Sequence, residues 1–264
     1  MDNGLYLPQE IDELTHGRKY TLDDIGMSGS KILLYDDMVL KIAGDDYDDA
    51  AETVGVMRWL EGRLPVPKVL CFTREGDRNY LLMSRIKGEM CCSGYMLAHP
   101  EELCEMAAKA LLMVQSADTA GCPRERDIDF ELEDASRRVR DGLVDMEDWE
   151  KDTIKEFKDP EHLLAWLHKN RPLYEPCLSH GDFCLPNIFV SGREVSGFID
   201  LGYTATGDRW KDIALLYRSL MHNFDGTYGG KVYPGFDPDM LFEKLSIEPD
   251  MEKIRWFILL DELF

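Results

Sequence analysis

The stretch SHGDFCLPNIFV, Ser179 to Val190, sets His180, Gly181 and Asp182 side by side and follows them with Asn187. Further on, the apolar run GFIDLG ends in Asp200 and a glycine. Two carboxylates and an amide oxygen, delivered by a loop and a strand end, are hard donors of the kind that hold Mg²⁺, with phosphate oxygens completing the coordination. Phosphoryl chemistry also needs a cation on the phosphates. Lys41 closes the apolar run DMVLKIA, where a lysine is awkward without an anionic partner, and is the natural candidate. Taken singly, Asp182 more often caps a turn and Asn187 more often satisfies backbone groups. The joint occurrence with Asp200 is what points to phosphoryl transfer.

The spacing H-x-D-x4-N matches the catalytic loop of protein kinases, and Asp200-Leu201-Gly202 matches their metal-binding segment. No GxxxxGK[ST] occurs, which excludes a P-loop. Gly26-Met27-Ser28-Gly29-Ser30 would then cover the phosphates, although any Gly/Ser-rich turn looks the same. Glu52 is the nearest helix carboxylate for Lys41, yet it also stands three residues after Asp49, the spacing of a capping box, and both readings stay open. Cys184, four residues after His180, suggests a thiol pair, but a reactive thiolate needs a preorganised base and an oxyanion site.

These residues need elements to position them. KILLYDDMVLKIA reads as two strands around Asp36-Asp37, and PVPKVLCFT and NYLLMSRI as two more around REGD. Between them a helix runs toward Trp59 and Leu60 and ends at Gly62. Ile86-Lys87-Gly88 reads as a linker. From Pro100, Leu103, Met106, Ala107, Ala110, Leu111 and Val114 fall at steps of three and four, an amphipathic helix. Helical character continues around 129–143 and 160–169, IFVSGREVSGFIDLG returns to a hairpin at Ser191-Gly192, and EPDMEKIRWFILLDELF reads as a helix running to the last residue.

The whole chain has 264 residues and 44% hydrophobic content, enough for a sizeable core and a prior of about two domains. The 30 Lys plus Arg against 51 Asp plus Glu give a formal net charge of −21, which disfavours nucleic acid and anionic membranes and favours cationic partners. No apolar run spans a membrane and no signal peptide opens the chain, so a cytoplasmic protein is expected. The seven cysteines lack CxxC pairs and read as reduced thiols. No internal repeat points to a solenoid.

The segments WLEGRLPVPKVL, LLMSRIKG, DMEDWEKDT, SHGDFCLPNIFV, VSGFIDLGYTATGDRWKDIALLYRSL and KIRWFILLDELF give the chain, over nearly its whole length, a specific resemblance to the aminoglycoside 3′-phosphotransferases. The resemblance implies an α+β, bilobal, protein-kinase-like fold, with a small β-rich nucleotide-binding lobe over 1–86 and a larger, mainly helical lobe over 87–264. It implies ATP or GTP as donor with two Mg²⁺ ions, and transfer of the γ-phosphate to an aminoglycoside 3′-hydroxyl. Lys41 would hold the α and β phosphates, Ser28 would lie in the covering loop, and backbone groups of Ser84 and Ile86 would read the purine. Asp182 would orient or deprotonate the hydroxyl, while Asn187 and Asp200 hold the metals. Glu147 and Glu150, with Arg218, Asp261, Glu262 and the carboxylate of Phe264, would meet the cationic drug. Carboxylates at a helix C-terminus also repel its macrodipole, so a bound polycation would relieve them. A monomer or weak dimer is expected.

The sequence departs from the family pattern at Val39, where an aromatic is common, at Tyr203, where arginine is usual, and between Lys41 and Trp59, which is shorter and puts Glu52 out of register. A kinase for another small acceptor, such as choline or an amino sugar, and a catalytically silent kinase-like binding protein are the alternatives.

Overall fold

The computed structural model describes residues 6–23, 30–44 and 50–264; Ser28, with the rest of the expected covering loop up to Gly29, and Asp49 of the expected capping box lie outside them. In the first part, helix α1 (Gln9–Thr15) accompanies strands β1 (Thr21–Asp23), β2 (Lys31–Leu34) and β3 (Met38–Gly44), helix α2 (Ala50–Leu60), and strands β4 (Val69–Glu75) and β5 (Arg78–Ser84). The strands form one antiparallel sheet in the order β1-β2-β3-β5-β4. The expected hairpin closes at Asp36-Asp37, with Leu34 paired to Val39 and Lys31 to Ile42. As expected, α2 ends just before Gly62, which takes the left-handed φ of 77°.

Strand alternation decides where Lys41 goes. Met38, Leu40 and Ile42 occupy one face of β3 and join Ile11, Leu33, Tyr35, Tyr80 and Leu82 in a small core that includes α1. Val39, Lys41 and Ala43 therefore share the other face. All three line the cleft between the sheet and the rest of the molecule.

The larger part opens with β6 (Glu89–Met90) and α3 (Gly94–Leu97). Helix α4 (Pro100–Gln115) places Pro100 in its first turn, where a missing N–H costs nothing, and buries the apolar stripe from Leu103 to Val114. Next come α5 (Ile128–Arg140), α6 (Lys151–Glu156) and α7 (Pro160–Lys169). Asp127 and Asp159 cap α5 and α7, accepting from the backbone N–H of Phe130 at 2.8 Å and of His162 at 3.0 Å. Strand β7 (Pro176–Ser179) precedes the hairpin of β8 (Ile188–Ser191) and β9 (Glu194–Phe198), to which β6 adds a third strand. Strand β10 (Ala205–Asp208) pairs with β7. Four-residue strands interrupted by Pro and Gly carry too little periodicity to be read from sequence. Helices α8 (Arg209–Asp225), α9 (Asp239–Leu245) and α10 (Met251–Asp261) complete the chain.

The last helix corrects the sequence reading: α10 stops at Asp261 instead of reaching Phe264. The final residues tighten into turns, Leu263 N–H donating to Leu260 O and Phe264 N–H to Asp261 O at 3.1 Å each, and Leu263 is fully buried. Side chains replace the helical partners of the last carbonyls, Trp149 Nε1 donating to Glu262 O at 2.7 Å and Arg138 Nε to Leu263 O at 2.8 Å.

The whole is the expected α+β arrangement, an antiparallel-sheet lobe beside a larger helical lobe. All seven cysteines are free thiols, and no helix among the described residues is long and apolar enough to cross a membrane.

Candidate active site

The loop after β7 is held from below by one buried carboxylate. Asp212 of α8, fully buried, accepts from Ser179 Oγ at 2.9 Å, His180 N–H at 2.7 Å and Gly181 N–H at 2.9 Å. Gly181 has φ of 83°, and a Cβ there would stand 2.4 Å from the Tyr203 carbonyl oxygen, so the turn requires glycine. His180 is an internal brace: Nε2 donates to Ile199 O at 2.9 Å, and Nδ1 accepts from Asp182 N–H at 3.3 Å. Asn187 donates its amide to Asp182 Oδ2 at 2.9 Å and to Asp182 O at 3.0 Å. The Asp182 carboxylate is thereby aimed before any ligand arrives.

Burial pushes the Asp182 carboxyl above its ordinary range; His180 pulls it down, and the nearby charges of Asp261 and Asp200 push it up further. The raised value moves it toward a usable proton acceptor. Burial and the adjacent Asp182 hold the Cys184 thiol far above its usual range, and both nitrogens of His180 are engaged, so no thiolate–imidazole pair forms.

Lys41 Nζ lies 3.6 Å from Asp200 Oδ1. Asp200 itself adopts the left-handed region, φ 59° and ψ 60°, a conformation a non-glycine residue keeps only when its surroundings impose it. Two clamps do so: Thr204 Oγ1 donates to His180 O at 3.0 Å, and buried Arg124 donates to Gly202 O. Arg124 also reaches Thr53 Oγ1 at 3.3 Å and lies 3.6 Å from Glu52, tying α2 to the Asp200 loop.

Lys41, Ser84, Ile86, Asp182, Asn187 and Asp200 all line a single cleft of about 870 Å³ beneath the sheet. Its roof is largely apolar, with Ile32, Leu34, Val39, Ala43 and Leu81 around Lys41, and Asp182, Asn187 and Asp200 lie across from it. The Ser84 N–H is already donated to Lys68 O at 2.9 Å, so a ligand at that edge meets the Ser84 carbonyl. The donor set suits Mg²⁺: with its NH₂ spent on Asp182, Asn187 offers Oδ1, and Asp200 offers a half-exposed carboxylate in the same cleft.

A second cluster forms at the C-terminus. Arg218 of α8 pairs with Asp261, whose charge keeps the guanidinium protonated against the opposing effect of burial. Glu262 accepts from Glu150 N–H at 3.1 Å and Thr153 Oγ1 at 3.2 Å. Burial, reinforced by the charge of Glu150, pushes the Glu262 carboxyl up to about 7. Arg138 holds the Leu263 carbonyl oxygen and a carboxylate oxygen of Phe264, and lies 5.5 Å over the Phe264 ring. The repulsion expected at this helix end is thus partly relieved within the chain. Glu147 stands exposed on its turn, its N–H donating to Asp145 Oδ1 at 2.9 Å.

Sequence reasoning did not single out Asp212, Arg124, Thr204 or Arg138, because one buried polar residue on a helix or loop looks like a surface one in sequence. The nearest available signal was Asp212 within the family-like segment DRWKDIALLYRSL.

A strand lysine, a braced Asp182, and an amide and a second carboxylate facing one cleft between a sheet lobe and a helical lobe define the phosphotransferases of the kinase type. The chain belongs to the phosphotransferase enzyme family, whose model matches residues 20–255. It is 37% identical over 266 residues to an aminoglycoside 3′-phosphotransferase of Enterococcus faecalis, with 97% of each chain covered. Its fold is similar to that of a crystal structure of an aminoglycoside-3′-phosphotransferase of type VIII, with a TM-score of 0.80 at 23% identity over 97% of both chains. It is also similar to a Streptomyces rimosus aminoglycoside phosphotransferase in complex with ADP and streptomycin, with a TM-score of 0.72 at 23% identity, covering 96% of this chain and 97% of that one.

Proposed function

We propose that this protein transfers the γ-phosphoryl group of ATP or GTP to the 3′-hydroxyl of aminoglycosides such as kanamycin and neomycin, and so confers resistance to them. The observation that carries the reading is the position of Asp182 at the floor of a lysine-bearing cleft, within electrostatic reach of the acidic C-terminal cluster. The activity named for the Enterococcus faecalis relative supports the acceptor class.

In this reading the purine packs under Val39 and Ala43, its edge meeting the Ser84 carbonyl and the Ile86 backbone. Lys41 holds the α and β phosphates. Asn187 and Asp200 hold Mg²⁺, which when bound neutralises charge on the phosphate oxygens. Asp182 aligns the acceptor hydroxyl and takes its proton late along a loose transition state, so most of the rate comes from positioning. Glu150, Asp261, Glu262 and the Phe264 carboxylate receive the drug's ammonium groups, with Glu147 on the approach and Arg218 orienting Asp261. Several such pairs would steer the drug in and weaken with salt. Residues 1–86 then form the donor lobe and 87–264 the acceptor lobe.

The test is Asp182→Ala against a panel of kanamycin, neomycin, amikacin and lividomycin with each nucleotide, the product position being read by NMR. The variant should lose about 10²–10⁴-fold in kcat with little change in drug binding. Unchanged turnover removes the assignment of Asp182, and turnover of a drug lacking a 3′-hydroxyl removes the regiochemistry. Phosphorylation of choline or an amino sugar, with no aminoglycoside turned over, would replace the acceptor class.

A further inference from the structure

A residue with no role so far reaches the acidic end. His222 lies on α8 one turn beyond Arg218, with Nε2 3.0 Å from Glu150 Oε1 and Nδ1 3.6 Å from Asp225 Oδ2. The Tyr228 ring meets the imidazole edge-on at 5.1 Å. A ring with a carboxylate facing each nitrogen is suited to carry both protons. The pair is half-buried, the side chains being 18% and 35% exposed. The remaining charged neighbours are committed elsewhere: Arg218 to Asp261, and Glu262 to the Glu150 N–H and Thr153. Asp152, on α6, adds negative charge beside Glu150.

We propose that His222 is a resident counter-ion for Glu150, an imidazolium that occupies the carboxylate until a substrate ammonium displaces it and the ring proton leaves to solvent. The inference rests on the aminoglycoside reading above. It makes His222 a positioning residue that sets how tightly the acidic end holds a cationic acceptor at each pH. Glu150 stays ionised throughout; its carboxyl is held below its ordinary value, chiefly by the hydrogen bond from His222. The same hydrogen bond, with Asp225 adding to it, holds the imidazole above its ordinary value. Occupation of Glu150 by His222 is therefore complete at low pH and is lost as pH rises through that raised value.

NMR titration of the His222 Cε1–H in the wild-type protein, with and without saturating kanamycin, tests this directly. Kanamycin should lower the titration midpoint by about one pH unit. In the absence of drug, Glu150→Gln should lower it as well. Calorimetry in two buffers of different ionisation heat, run across the pH range in which that NMR titration shows the drug-free ring losing its proton, should show the wild type releasing more protons on binding kanamycin than His222→Gln does. Between high and low pH, the wild-type KM for kanamycin should rise about three- to tenfold more than that of the variant. A midpoint unmoved by kanamycin that binds with measurable heat overturns the proposal and leaves the aminoglycoside reading intact. No heat at millimolar kanamycin removes both. If His222→Gln folds poorly, the wild-type titration decides alone.

Discussion

Replacing Asp212 by asparagine isolates the brace beneath the catalytic loop. The carboxylate accepts three hydrogen bonds, from Ser179 Oγ and Gly181 N–H on one oxygen and from His180 N–H on the other. An amide has a single acceptor oxygen, so either orientation sets its NH₂ against at least one backbone N–H. That orphaned donor costs about 1–3 kcal/mol, and loss of charge assistance in the surviving bonds adds about 1 kcal/mol. Burial already disfavours the charged form of Asp212, which raises its pKa and offsets part of the loss. A net of about 2–3 kcal/mol remains, or about 5–10 °C in Tm for a chain of this size. The catalytic cost is larger in proportion. Asp182 hangs from the braced turn, and a displacement of about 1 Å there can cost about 10²-fold in kcat. Thermal melts and steady-state kinetics on the pure variant measure both, and KM for the nucleotide should move less than kcat. Wild-type kcat, with Tm within about 2 °C, would refute the reasoning.

Three further outcomes follow from the same structure. Gly181→Ala should cost more than about 2 kcal/mol, since its φ of 83° is strained for alanine and its Cβ would meet a backbone oxygen at 2.4 Å; denaturant unfolding checks this. For Glu262, raised from 4.5 to about 7, the neutral form is favoured on folding, so the stability it contributes is full below 4.5 and is lost as pH climbs to about 7. Relative to Glu262→Gln, the wild type should therefore lose about 1–2 kcal/mol across that window, after discounting for solvent screening, with melts at several pH values as the measurement. Arg138→Ala removes the hold on the Leu263 carbonyl and the Phe264 carboxylate; release of Phe264 by carboxypeptidase should accelerate, and on the proposed function KM for kanamycin should rise about tenfold with a smaller change in kcat.

Much of the site was legible because its chemistry is written locally. His180, Gly181, Asp182 and Asn187 lie within one loop, and alternation along β3 alone puts Lys41 on the cleft side. The supports were less legible, since they depend on contacts across long stretches of chain. Asp212 sits 30 residues or more from the groups it holds, as Arg124 does from Gly202 and Arg138 from Leu263. The end of α10 was misread for the same reason. Its helical pattern continues to the last residue, and only the partners offered by Trp149 and Arg138 show why the chain turns. For Glu52, the observed proximity of Arg124 adds a third role to the two that spacing had left open.

Helix α8 also works as a gauge. It grips the catalytic loop at Asp212 and, through Ser219, at Leu185 N–H at 3.0 Å; from the same rod Arg218 and His222 face the acidic end. At about 1.5 Å per residue, Arg218 lies about 9 Å and His222 about 15 Å along the axis from Asp212. On the proposed function, the spacing between Asp182 and the carboxylates that Arg218 and His222 hold, Asp261 and Glu150, is therefore counted in helix residues. A one-residue insertion between Asp212 and Arg218 would lengthen it by about 1.5 Å and turn the far end by about 100°. Substitutions can retune either end separately, but a change in helix length would put the two ends out of phase.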